Sequence, residues 1–112
     1  MVEKMKIFIS YSHKDAKYTS KLLDAIMKLE RDGKANIWID QRRLKAGERF
    51  DDEIEKQIAV ADIFLLLLSE NFWASDYIRN HEFPAIQDRY RKDSIKIIPI
   101  ILRDAAHLLN YE

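Results

Sequence analysis

The stretch Ile63-Phe64-Leu65-Leu66-Leu67-Leu68, followed by Ser69-Glu70-Asn71-Phe72-Trp73-Ala74-Ser75-Asp76-Tyr77-Ile78-Arg79-Asn80-His81-Glu82, decides how the rest of this chain of 112 residues is read. Six apolar residues without a polar break suit a strand buried on both faces, the condition of an inner strand in a parallel sheet. Polar chemistry begins where that strand ends. In an open α/β sheet, ligands bind beyond the carboxyl ends of the strands, so Ser69 and Ser75 are expected to border a cleft. Ser75 and Asp76 are suited to cap a helix, and Ile78, Glu82, Ala85 and Ile86 then fall on one side of it. Glu82 is the acid on that otherwise apolar stripe. It either reaches the rim and pairs with Arg79 or Arg89, or it sits partly desolvated beside a ligand, where a carboxylate has most leverage on chemistry. Pro84 has no N–H to give to a helical ladder, so the helix must kink or restart just past Glu82.

Working outward, Lys6-Ile7-Phe8-Ile9-Ser10 reads as a first strand whose polar end is Ser10-Tyr11-Ser12-His13. Ser12 and Asp15 have capping-box spacing, and Leu22, Leu23, Ile26 and Leu29 recur at helical period until Gly33 stops the helix. Asn36-Ile37-Trp38-Ile39-Asp40 is the parallel return of a βαβ crossover. The segment from Asp40 to Arg49 has no periodicity and carries Arg42, Arg43, Lys45 and Arg49, which makes it a basic loop. A loop of this length is either a solvated connection or a functional one. Phe50, Ile54, Ile58 and Ala61 then mark a second helix, opened by Asp51 and Asp52. Ile95, Ile97, Ile98, Ile100, Ile101 and Leu102 make a fourth strand interrupted by Pro99, a residue most easily housed at a sheet edge. The whole chain, 1–112, therefore reads as one βαβαβαβ domain.

Composition narrows the function. Lys plus Arg and Asp plus Glu balance at 19 each, so no charge excess points to nucleic acid or an anionic membrane. There is no cysteine for a disulfide or a zinc site, and His13, His81 and His107 form no metal-binding spacing. Apolar runs stay near six residues, against roughly 20 for a membrane span. A cytoplasmic protein is expected.

Three separated motifs occur in order: Phe8-Ile9-Ser10-Tyr11-Ser12, then Leu44-Lys45-Ala46-Gly47-Glu48, then Ser69-x-x-Phe72-x-x-Ser75-Asp76-Tyr77 leading to Glu82. Together they closely resemble the Toll/interleukin-1 receptor (TIR) domain in its bacterial form, over residues 5 to 102. The resemblance implies a flavodoxin-like α/β fold with strand order 2-1-3-4(-5), helices on both faces and a switch point between the first and third strands. In two places the chain departs from the family pattern. Ala46 stands where the family loop has a proline before its glycine, and the family's fifth strand and last helix are expected to be missing or truncated.

Many bacterial and plant members cleave NAD⁺ between nicotinamide and ribose, and some cyclise the ADP-ribose product. Their catalytic glutamate falls on Glu82. By the same resemblance, Ser10, Tyr11 and Ser12 line the nucleotide pocket, Ser75 and Tyr77 lie near the ribose, Phe8 or Trp38 stacks on a base, and Arg42, Arg43 and Lys45 meet the diphosphate or a neighbouring protomer. NAD⁺ is then a substrate, and no cofactor is expected. Homotypic assembly would switch the enzyme on, a sensor domain or partner chain would drive that assembly, and the setting would be bacterial anti-phage immunity. The alternative is a non-catalytic TIR module that makes homotypic signalling contacts. A phosphoacceptor receiver of similar topology needs clustered acids at the first strand end, and Ser10-Tyr11-Ser12 supplies none.

Overall fold

The fold was read from a computed structural model, which describes residues 4–39 and 50–102. Its elements run β1 (Met5–Ser10), α1 (Ala16–Arg31), β2 (Ala35–Ile39), α2 (Phe50–Val60), β3 (Ile63–Leu68), α3 (Glu70–Ala74), a π-helical turn (Ile78–Glu82), α4 (Phe83–Lys92) and β4 (Lys96–Ile101). The strands form one parallel sheet in the order β2-β1-β3-β4. This is the flavodoxin-like arrangement expected from the sequence, with the switch point between β1 and β3. Residues 103–112, on which the expectation of a missing or truncated fifth strand falls, lie outside the described residues, as does the basic loop from Asp40 to Arg49.

Alternation along the inner strands divides the interior into two cores. Phe8, Phe64 and Leu66 point to one face, where Ile54 and Ile58 of α2, Phe72 of α3, Ile78 and Ile86 pack on them. Ile7, Ile9, Leu65 and Leu67 point to the other, under Leu23 of α1 with Leu22 and Ile26 beside it. Fully buried side chains of this size each contribute roughly 1.5–3 kcal/mol. β3 is covered on both faces, as its uninterrupted apolar run demanded.

Several element ends follow the sequence signals. Asp32 closes α1, and Gly33 takes φ +77°, a backbone region in which an L side chain is strained. β4 differs from the expected interrupted strand, because Pro99 sits inside it, opposite Leu66. Lys96 and Leu102 donate their N–H groups to Asp62 and Leu68. The even-numbered amides of β4 thus face β3, and position 99 faces the outer edge of the described sheet. The missing N–H of Pro99 costs no ladder bond there.

Candidate functional site

The candidate site lies at the carboxyl ends of β1 and β3, and the chain reaches it from both sides of the sheet. Ser10 shares the strand phase of Phe8, so its side chain leaves the sheet toward α4. There its hydroxyl donates to Glu82 Oε1 at 2.7 Å, and both residues are buried, with Glu82 only 1% exposed. The rim reading of Glu82 is overturned by this burial. The two arginines available for it are engaged elsewhere, Arg79 with Asp76 and Arg89 with Asp93 and the carbonyl of Ile58.

Local sequence explains how an acid comes to be held inside. Ser69 caps α3, its Oγ accepting from the Phe72 N–H at 2.9 Å. Ser75 caps the next helical segment, accepting from the Ile78 N–H at 3.2 Å. That segment cannot run as an uninterrupted α-helix through Pro84, whose ring would meet the carbonyl of Asn80. A π-turn takes up the conflict over Ile78–Glu82, with the Phe83 N–H bonded to the carbonyl of Ile78, and the α-helix resumes at Phe83. Such single π-turns recur at functional sites. Here Glu82 is the last residue of the turn and is directed inward between Ile78 and Ile86, both buried.

A second polar link lies on the opposite face of the sheet. Asp15 is 1% exposed, and it accepts hydrogen bonds from the Ser69 hydroxyl and from Asn71 Nδ2, the latter at 2.7 Å. The capping box expected of Ser12 and Asp15 does not form. Asp15 stands at the start of α1 but caps nothing with its side chain, and the Ser12 hydroxyl accepts from the Lys14 N–H at 3.3 Å. The short helix α3 and the buried pairing of Asp15 are both absent from the sequence reading.

The other residues named from the sequence are distributed unevenly. Ser12 and Tyr11 are buried, with Tyr11 in the α1-side core, across the sheet from Glu82. Ser75 and Tyr77 are half-buried, and the Tyr77 ring lies 5.0 Å from that of His81. Phe8 has no exposed surface: it is enclosed between Trp38, stacked at 5.1 Å and 21°, and Phe64. Phe8 therefore serves the core, and Trp38, half-buried, carries the accessible face of the pair. Arg42, Arg43 and Lys45 lie outside the described residues.

Among the described residues, two cavities accompany these elements. One of about 310 Å³ lies beside Phe8 and Trp38, bounded by Lys6, Asn36, Gln57 and Val60. The other, about 350 Å³, lies between α4 and β4, against Trp73, Phe83, Tyr90 and Pro99. Neither is lined by Ser10 or Glu82. Among the described residues no cluster of three or more His, Asp or Glu side chains is placed to hold a metal ion, and no helix is long and apolar enough to cross a membrane.

A family profile for the TIR domain matches residues 7–110. The chain belongs to the TIR domain family. An uncharacterised protein of Sinorhizobium fredii, y4lF, is 39% identical over 97 residues, which cover 87% of this TIR chain and 30% of the relative. Among solved structures, the TIR domains of the activated Roq1 resistosome, which directly recognises the pathogen effector XopQ, superimpose with a TM-score of 0.66 at 21% identity, covering 88% of this chain and 57% of that one. A metazoan TIR-STING receptor from C. gigas gives 0.62 at 21% identity, over 87% of this chain and 30% of the receptor. The TIR domain of the Toll-related receptor TRR-2 from Hydra magnipapillata gives 0.56 at 22% identity, over 94% and 78%. At these identities the solved structures speak for the fold. The chain spans under a third of the bacterial relative and under two thirds of the first two structures.

Proposed function

We propose that this TIR domain cleaves NAD⁺ at the bond between nicotinamide and ribose, with Glu82 as its catalytic carboxylate. The observation that carries this reading is the buried pairing of Glu82 with Ser10 at the switch point of the sheet. An acid taken this far out of water demands a reason, and the position is where α/β folds of this type receive their ligands.

The chemistry suits a single acid. Glycosidases acting on ordinary sugars need a second carboxyl group to protonate the leaving oxygen. In NAD⁺ the leaving nitrogen is already cationic, so the electron pair of the breaking C–N bond returns to it and nicotinamide departs neutral. What remains is an oxocarbenium-like ribose, which a fixed carboxylate stabilises while it orients the ribose hydroxyls. Water then captures the cation and releases a proton, giving ADP-ribose, or an internal nucleophile captures it and gives a cyclic product. Ser10 holds the carboxylate in one rotamer, Ser75 and Tyr77 border the same arm of the chain, and Trp38 offers an aromatic face. Arg43 and Lys45 are assigned to the diphosphate, or to the next protomer in an assembly.

Self-association is part of the proposal. Homotypic packing would set the basic loop of one protomer against the site of the next, under the control of a sensor segment or partner chain, in bacterial immune signalling. Nicotinamide release from NAD⁺, compared between the unmodified chain and Glu82→Gln over a range of protein concentrations, tests both parts together.

A further inference from the structure

Two buried side-chain hydrogen bonds close a ring around the strand ends. Beginning at Ser10, the chain runs five residues to Asp15, crosses to Ser69 through a hydrogen bond, runs on through α3 and the π-turn to Glu82, and returns to Ser10 through the 2.7 Å bond. One bond lies on each face of the sheet. The ring contains Tyr11 and Ser12 in its short arm and Ser75, Tyr77 and Glu82 in its long one.

We propose that Asp15 is a positioning residue for Glu82, acting through Ser69 and Asn71 on the arm that carries the acid. The inference rests on the reading of Glu82 as the group that acts on NAD⁺. Its physical basis is the bookkeeping of donors and acceptors. Asp15 is acceptor-only when ionised, and it takes one hydrogen bond on each oxygen, from Ser69 and from Asn71. With its proton committed to Asp15, the Ser69 oxygen is left free to accept from the Phe72 N–H, which starts α3. The helix that α3 leads into must end its π-turn with Glu82 under Ser10, and Ser69 is the fixed point from which that arm departs. A carboxylate buried to this degree, holding two donors from one segment 54 and 56 residues away, ties that segment to the start of α1.

Asp15→Asn keeps the shape of the side chain but turns one of its two acceptors into a donor, so one of the two groups that donate to Asp15, the Ser69 hydroxyl or the Asn71 amide, meets an N–H in place of an oxygen. Thr19→Val serves as the comparison, because it removes a buried hydroxyl from α1, bonded to the carbonyl of Ala16, without touching the ring. Amide hydrogen exchange is followed in the full chain and in both variants. In Asp15→Asn, exchange at Phe72 and at Ile78 through Phe83 should quicken about tenfold or more, while Ile9 and Leu65 in the central strands stay within about twofold. In parallel, kcat for nicotinamide release should fall about tenfold with little change in KM. Unchanged exchange at Ile78 through Phe83, or an equal rise at every amide as in a general loss of stability, would overturn the positioning role. A chain that releases no nicotinamide contradicts the catalytic reading instead, and the exchange pattern then judges the ring independently of it.

Discussion

The hydroxyl of Ser10 donates to Glu82 Oε1 across 72 positions of sequence, joining the last residue of β1 to the last residue of the π-turn. The bond holds a buried carboxylate beyond β1 and β3, where the strand order reverses. Removing its donor leaves that carboxylate less well compensated, and Ser10→Ala is expected to cost about 1.5–3 kcal/mol of stability. Nicotinamide release should drop about tenfold through the loosened rotamer of Glu82. Urea unfolding alongside the activity assay checks both, and a variant as stable and as active as the parent would show the bond to be incidental.

Pro84 sets up the π-turn by denying the helix an N–H and a ring-sized space. Pro84→Ala restores both, so an α-helical register becomes available to Ile78–Glu82 and Glu82 is drawn from its inward direction. The expected result is equal or greater thermal stability with reduced nicotinamide release. Thermal melts and kinetics on the same preparation test this. Stability and activity falling together would point to ordinary damage.

Among the described residues β4 is an edge strand, and Pro99 presents its missing donor to that outer edge, where Ile98 and Ile101 are also exposed. Pro99→Val supplies the donor and a β-branched side chain, making the edge a better template for another strand. Sedimentation velocity should show the variant associating at concentrations where the parent does not. Identical profiles would mean that proline does not guard this edge.

The core on the α2 and α4 side rests on interlocked large side chains, among them Ile86, which has no exposed surface. Ile86→Ala is expected to lose about 2–5 kcal/mol, lowering the melting temperature by roughly 10 °C or more. A smaller shift in calorimetry would mean that α4 settles into the space.

The parts of this architecture legible in the sequence were those written in local pattern. The apolar run Ile63–Leu68 gave β3 its bounds, and the crossover spacing gave the parallel pairing of β1 with β2, while the order of the strands came with the family resemblance. The serine at 75 showed a cap, and Pro84 showed a break, though the break is a π-turn. Asp15 reads as part of a cap because Ser12-x-x-Asp15 is a capping pattern in one dimension, and the partners that claim its carboxylate, Ser69 and Asn71, are visible only after β1 and β3 are side by side. Phe8 illustrates the same limit. Its motif placed it near a ligand, but the register that sets it opposite Trp38 and Phe64 makes it core.

The central claim is that Glu82 breaks the nicotinamide–ribose bond, and the most direct measurement is nicotinamide release from NAD⁺ by the unmodified chain and by Glu82→Gln, at low and high protein concentration. The account predicts release that rises more than linearly with protein and falls on the order of 10²–10³-fold in the variant, which keeps the shape of the side chain while removing its charge. Release that survives unchanged in Glu82→Gln, or no release at any concentration of a folded, assembled protein, would contradict it and leave a TIR module that works by homotypic contact alone.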